Sequence, residues 1–391
     1  SIFLNYSRGL EASRDAWSYN SSKNKIQENI KKLIETYNYE LSTVKDYSSV
    51  ERDPKKIKWT SSLQSFYERK KELDFDDGEM RVSLYRPFSK QRVYYSSMLI
   101  HRIGQMENIF PKSNSENRLI IVPGPGAKIG FTALMADRMP DLGFNSACQC
   151  FPLKLYIDQT IKEGLFADQS LSDQFLITDG ITDEALKHFL DAFSVEIFSK
   201  EDLFYYIYGL LHSSEYRERF KNNLSKELPR IPAVKDFKDF MRFSQAGRKL
   251  GDLHVNYESV EPYPVTYKQG DERLFVTDDP KSFYRVEKMK FAGKRPNLDK
   301  TTVVYNKNLT MQNIPIDAYE YVVNGKPALE WVMERQCVKK DKQSGIVNDA
   351  NDYANETMNN PKYPLELFQR VITVSLETMK IVRSLPKLDI D

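Results

Sequence analysis

Val82-Ser-Leu-Tyr-Arg86, Pro87-Phe-Ser-Lys-Gln91 and Arg92-Val-Tyr-Tyr-Ser96 follow one another directly, two runs rich in Val and Tyr on either side of residues that suit a turn. This arrangement predicts an antiparallel hairpin, because the connection is too short for the crossover helix that parallel strands need. Upstream, the turn-like Asn20-Ser21-Ser22 precedes an amphipathic helical stretch from Lys25 to about Tyr37. Downstream, Arg118 to Val122 reads as a short strand that stops at Pro123-Gly124-Pro125-Gly126. Helix and antiparallel strand thus mix locally, and residues 1–180 are expected to form an α+β part.

The pattern changes near Thr182, where Thr-Asp-Glu opens a helix, and again at Ser199, which stands three residues before Asp202 as in a capping box. Leu203, Ile207, Leu210 and Leu211 share a helical face; Tyr216, Phe220, Leu224 and Leu228 recur at every fourth position; Phe240, Phe243, Leu250 and Leu253 suggest another helix. Residues 181–258 are therefore expected to be a helical section. Residues 259–391 return to short strands, at Thr301 to Tyr305 and Tyr319 to Val323, and end in an amphipathic helix from about Leu365 to Val382. The fold class expected is α+β, with small mixed sheets, a helical middle section and a second α+β part.

Of the 391 residues, 40% are hydrophobic and 12% aromatic, including 23 Tyr and 22 Phe, which excludes a disordered chain. The net charge is only +2, from 57 Lys and Arg against 55 Asp and Glu, so any surface for a polyanion must be local. Cys148, Cys150 and Cys337 are too few for a disulfide framework, and no charged-then-apolar leader or long apolar run is present. A reducing cytoplasm is expected, with no membrane partner. The opening Ser1-Ile-Phe, without an initiator methionine, is expected of a piece of something longer.

Catalytic patterns are incomplete. In Gly124-Pro-Gly-Ala-Lys-Ile-Gly130, Ile129 follows Lys128 where a phosphate-binding loop needs Ser or Thr, so a tight turn is expected. Cys148-Gln-Cys150 offers two thiolates, but His101, His188, His212 and His254 are scattered, and no metal site is expected. Asp53 with Glu68-Arg-Lys70 is the nearest approach to a Mg²⁺-dependent nuclease, yet a Glu-x-Lys arises by chance in a chain with 29% charged residues. A base-flipping amino-methyltransferase would need an Asn-Pro-Pro-Tyr loop; Asn360-Pro-Lys-Tyr363 has Lys362 in the second proline's place. No catalytic, cofactor or metal residues are assigned.

Basic loops remain. Arg86, Lys90, Arg92 and Arg102 surround the hairpin; Lys288, Lys290, Lys294, Arg295 and Lys300 form a basic stretch; Arg335, Lys339, Lys340 and Lys342 precede Ser344-Gly345. Such side chains can grip phosphates, although a basic run is also what an ordinary solvated face looks like.

The blocks Gly9-Leu-Glu-Ala-Ser-Arg14-Asp15-Ala16-Trp17, Ser83-Leu-Tyr85-Arg86-Pro87-Phe88, Tyr208-Gly-Leu-Leu-His212-Ser-Ser-Glu-Tyr216, Leu228-Pro-Arg-Ile-Pro232, Ala246-Gly-Arg-Lys-Leu250, Asn324-Gly-Lys-Pro-Ala-Leu-Glu-Trp331 and Asp341-Lys-Gln-Ser344-Gly345-Ile-Val-Asn348-Asp349 stand in this order. Together they make the chain resemble the C-terminal target-recognition region of Type ISP restriction-modification enzymes. Those enzymes join a nuclease, an ATP-driven translocase, an adenine N6-methyltransferase and target recognition in one polypeptide. The resemblance implies that S-adenosylmethionine, ATP and Mg²⁺ serve the parent enzyme and not this part of it, and that its partners are double-stranded DNA and the methyltransferase and translocase domains of the same polypeptide. It implies that the chain positions a target so that an adenine can be flipped into a neighbouring pocket. DNA contacts are expected at Arg86, Lys90, Arg92, Arg102, Lys294, Arg295, Lys339, Lys340 and Lys342. Trp17 and Trp331 are expected in the core or an interface, and Ser344 to Asn348 in a structural turn. Two other readings stand beside this one: a structural coupler between domains with little DNA affinity, and an independent nuclease using Asp53 and Glu68.

Overall fold

The hairpin forms with a shorter loop than its sequence suggests. Strands Met80–Arg86 and Ser89–Tyr94 are joined by Pro87-Phe88 alone, with Arg86 opposite Ser89. Phe88 takes a φ of 56°, in the left-handed region, and its ring is buried. Burial of that ring holds a turn that residue preferences alone disfavour. A third strand, Tyr19–Asn20, pairs with the far edge of Ser89–Tyr94.

The computed structural model describes residues 1–159, 174–193 and 197–390, and the fold is α+β. Ser22 accepts from the Lys25 amide at 3.2 Å and starts helix Lys23–Thr43. Thr182 caps Asp183–Ala192, and Ser199 with Asp202 completes the capping box of Lys200–Leu210. The helices Phe237–Val255 and Tyr363–Arg383 extend slightly beyond their apolar patterns.

Two expectations need correction. The Tyr216/Phe220/Leu224/Leu228 repeat does not make one helix; Ser214–Arg219 and Lys221–Leu224 meet at Phe220, whose φ of −106° is not helical. A spacing of four drifts by roughly 40° per step around a 3.6-residue turn, so a straight helix could not keep all four side chains against one core. Nor is Tyr319 to Val323 one strand. Ile316–Tyr319 is a 3-10 turn, and Val322–Val323 pairs with Lys326–Pro327 about Asn324-Gly325, both at positive φ. That is the Asn-Gly hairpin geometry.

A four-stranded antiparallel sheet runs Ser7–Arg8, Gln149–Pro152, Leu119–Val122, Leu134–Ala136. All four residues of Leu119–Val122 are buried because the sheet is covered on both faces. Leu119 and Ile121 join a core with Val303, Met311 and Phe368, whereas Ile120 and Val122 join one with Leu203, Phe240 and Phe243. Both cores thus pack across residues 180 and 258, where the sequence pattern changes. A third core sets Trp17 against helix Lys23–Thr43 and Tyr94. Helices Lys200–Leu210 and Phe237–Val255 approach so closely that a Cβ on Gly247 would lie 1.8 Å from the Tyr205 carbonyl oxygen. Among the described residues, no helix is long and apolar enough to cross a membrane.

Candidate nucleic-acid interface

The antiparallel hairpin Val338–Lys340 with Val347–Asp349 is the hub around which the basic segments meet. Its turn is built by Asp341, whose Oδ1 accepts from the Gln343 and Ser344 amides at 3.2 and 2.7 Å and from the Ser344 hydroxyl at 2.7 Å. The other strand is tied to the first sheet by Asn348, which accepts from the Ser21 amide at 3.0 Å and donates to Gln91 Oε1 at 2.9 Å. Asn20 Nδ2 adds a bond to the Val347 carbonyl at 3.1 Å. Ser344 to Asn348 is therefore a structural turn and strand, and Asn348 holds two elements together.

On the opposite side, Lys288 forms a backbone bridge with Cys337, and the Val338 amide donates to the Glu287 carbonyl at 3.0 Å. The basic stretches beginning at Lys288 and ending at Lys342 are thus neighbours at their bases. Lys290–Lys294 continues into a second hairpin with Asn297–Val304, where Lys294 faces Asn297 and Arg295-Pro296 forms the tip. Lys294, Arg295, Lys339, Lys340 and Lys342 are all exposed. Among the described residues none of these five cations has a close ion-pair partner.

The first hairpin does not bring its four cations together on one exposed face. Arg86 pairs with Asp141, lies near Asp15 and keeps an 18% exposed side chain. Lys90 bonds Glu258 at 2.5 Å, with the two side chains 10% and 16% exposed. Arg92 donates to Thr357 at 3.1 Å. Arg102 alone is well exposed, 3.5 Å from Glu11. Ion pairing at this depth answers buried carboxylates within the fold, so Arg86 and Lys90 are engaged internally.

Lys300 in the second stretch is likewise paired, with Glu330 at 2.9 Å, and Arg335 with Glu334 at 2.6 Å.

Two recesses lie where the Val338–Asp349 hairpin meets the N-terminal part. One, of about 160 Å³, is bordered by Tyr19, Tyr85, Gln91, Arg335, Lys339 and Asn348. The other, of about 330 Å³, lies between Ser13–Trp17 and the Asp341–Ser344 turn, with Lys58 at its edge. Arg14 belongs to no basic run and Lys58 ends the short run Lys55-Lys56-Ile57-Lys58, and the sequence reading passed over both. The signal available was the Gly9–Trp17 block itself, which has an Arg between two turn-forming residues.

The other sequence candidates serve local structure. Asp53 Oδ1 caps the Lys55 amide at 2.9 Å, and Glu68 accepts from Gln64 one helical turn away at 2.8 Å. Asn360 bonds Glu366 and the Lys362 amide at the start of the last helix. Pro125-Gly126 forms a turn with Gly126 at a φ of 81°, and no helix follows it. Cys148 and Cys150 are buried, and among the described residues no three His, Cys, Asp or Glu side chains are grouped to hold a metal ion. Trp17 and Trp331 are both buried, the latter donating to the Val323 carbonyl at 2.7 Å.

Residues 1–367 match the family described as Type ISP C-terminal specificity domain. A search of curated proteins gives no match. Among solved structures, the ATP-dependent Type ISP restriction-modification enzyme LlaBIII bound to DNA is similar at 34% identity and a TM-score of 0.86, over 100% of this chain and 24% of that one. A nuclease-deletion mutant of the Type ISP enzyme LlaGI, in complex with a DNA substrate mimic, is similar at 33% identity and a TM-score of 0.82, over 100% of this chain and 28% of that one. A DrdV–DNA complex is similar at 29% identity and 0.80, over 99% and 36%. The chain therefore spans about a quarter to a third of the length of these relatives.

Proposed function

The chain belongs to the Type ISP C-terminal specificity domain family, and from that premise we propose that it is the part of a larger restriction-modification polypeptide that recognises a double-stranded DNA target. The observation that carries this reading is similarity over the full chain, at 33–34% identity, to two enzymes described in complex with DNA or a DNA mimic. The exposed hairpin ends at Lys294-Arg295 and Lys339 to Lys342 support it, since phosphate contacts set the register in which base edges are read.

In the intact polypeptide, the domain would present one adenine of the target to a neighbouring methyltransferase, and recognition would govern translocation and cleavage by the remaining domains. S-adenosylmethionine, ATP and Mg²⁺ would be used by those domains. Placement of the target requires that the sequence be read here, because flipping serves only the base that reaches the pocket.

The test is selection of the chain against a pool of random duplexes at low and moderate salt, followed by sequencing of the retained DNA. An enriched asymmetric motif is expected. Binding without enrichment would leave this part with grip only, and no binding at either salt would favour a coupling role between domains.

A further inference from the structure

We propose that the recess between Ser13–Trp17 and the Asp341–Ser344 turn is an anion site in which Arg14 and Lys58 hold one backbone phosphate of duplex DNA. The inference rests on the DNA-binding reading above and adds a specific contact to it.

Arg14 is 1% exposed, and among the described residues it has no carboxylate within ion-pair distance. Its Nη2 donates to Thr60 Oγ1 at 2.6 Å, while Nε and Nη1 have no acceptor. Trp17, on the same wall and 2% exposed, has an Nε1 without an acceptor as well. Arg14 and Trp17 both line the recess, and three of their N–H groups, each itself buried, lack partners; all three are donors. A guanidinium taken out of water without a counter-charge is strongly unfavourable, and burial lowers the Arg14 pKa to about 10. What the cluster lacks is an acceptor carrying negative charge, and the planar fork of arginine suits a phosphate.

Two carboxylates, Asp15 and Asp341, also line the recess, and each has one oxygen engaged elsewhere. Asp341 Oδ1 takes the three donors of its own turn. Asp15 Oδ2 accepts from the Tyr85 hydroxyl at 3.2 Å and lies 3.7 Å from Arg86. Lys58 is exposed at the edge and forms no close ion pair among the described residues, although its charge helps to hold Asp341 below the usual carboxylate range. Lys342, in the turn that forms the opposite wall, and Lys339 and Lys340 in the strand before it are exposed too. A succession of cations leading from a buried one matches a polyanion with regularly spaced charges better than a single carboxylate from an adjoining domain.

The experiment compares the chain with Arg14→Gln and Lys58→Ala in duplex binding across a salt series, with thermal melts of each protein. Charged hydrogen bonds of about 1.5–3 kcal/mol correspond to a loss of roughly 10- to 100-fold for Arg14→Gln. The two substitutions together should reduce the slope of log affinity against log salt by about 0.9, the value of the one phosphate they share, and each alone by part of it. The Arg14→Gln melting temperature should hold or rise, since an uncompensated charge is removed, whereas a merely structural arginine would lower it. Unchanged salt slopes in both variants, with the unaltered chain still binding steeply, overturn the phosphate site and leave the DNA-binding reading intact. A raised melting temperature with an unchanged slope also overturns it, because the uncompensated charge is then not answered by DNA. If Arg14→Gln fails to fold, the exposed Lys58→Ala decides alone. If the unaltered chain binds no duplex, the underlying reading falls, and the site with it.

Discussion

His212 and His254 should make this protein lose stability in mild acid. Both are 2% exposed. His254 Nδ1 lies 2.6 Å from the Tyr208 hydroxyl and Nε2 lies 2.8 Å from Thr378 Oγ1, while its ring stacks on Tyr321 at 5.2 Å. Neither neighbour offers a negative charge, and the nearby cation Arg217 opposes a second one. Burial, with Arg217 adding to it, pushes His254 down to about 3, and burial, Arg217 and His254 push His212 well below the ordinary range. In the unfolded chain both titrate near 6.5. Their folded pKa values are depressed, so the unfolded state binds more protons below pH 6.5, and stability present above that pH is lost as pH falls. Between pH 7 and pH 5 the loss from His254 is about 2 kcal/mol, from 1.36 kcal/mol per pH unit below the unfolded pKa. Asp141 works in the opposite sense: burial raises it to about 7 although Arg86 opposes this, and a raised carboxylate favours the folded state on acidification. The readout must therefore be a difference. Denaturant unfolding at pH 7 and pH 5 is measured for the chain and for His254→Gln, whose amide can bond both Tyr208 and Thr378. The variant should lose about 2 kcal/mol less over that interval than the unaltered chain. Equal losses would refute the reasoning, because they would mean that His254 is not kept neutral by the fold.

Gly247→Ala should destabilise the protein by at least about 2 kcal/mol; alanine normally favours a helix, so a loss in thermal melts isolates the 1.8 Å approach to the Tyr205 carbonyl. Lys90→Met should lower stability by roughly 3 kcal/mol by stranding Glu258, with no change in the salt slope of DNA binding. A reduced slope would return Lys90 to the DNA face. Lys340→Gln and Lys342→Gln should each reduce that slope by just under 1 while leaving the melting temperature within 1 degree or so; a melting loss without a slope change would make them structural. Asn348→Ala, which breaks the bonds to Ser21 and Gln91, should cost about 1–3 kcal/mol of stability and weaken DNA binding only through the position of the hairpin.

The parts of the fold legible in the sequence are those in which a local rule and the tertiary environment agree. Ser199 and Asp202 begin a helix because the capping groups and the apolar face behind them require the same start. At Phe88 they disagree: a buried ring holds the chain in a left-handed turn, and nothing in Pro87 to Gln91 tells that loop from a longer one. Asn324-Gly325 is a different case, since the Asn-Gly signal was present and a strand pattern of Val and Tyr around it took precedence. Charge was the least legible property, because the partner that decides a cation's fate is remote in sequence. Lys90 and Lys340 read alike as basic residues near a turn, yet Lys90 meets Glu258, 168 residues away, and Lys340 meets solvent. Arg14 reverses the error: it sits in no basic run, and its significance lies in the lack, among the described residues, of a carboxylate within ion-pair distance of a side chain that the fold has nonetheless buried. A run of cations in sequence therefore measures local composition, whereas the search for a phosphate site turns on which cations the fold leaves without an answer. By that measure Arg14 ranks above any of the lysines, because an exposed lysine is already stabilised by water and a buried arginine is not.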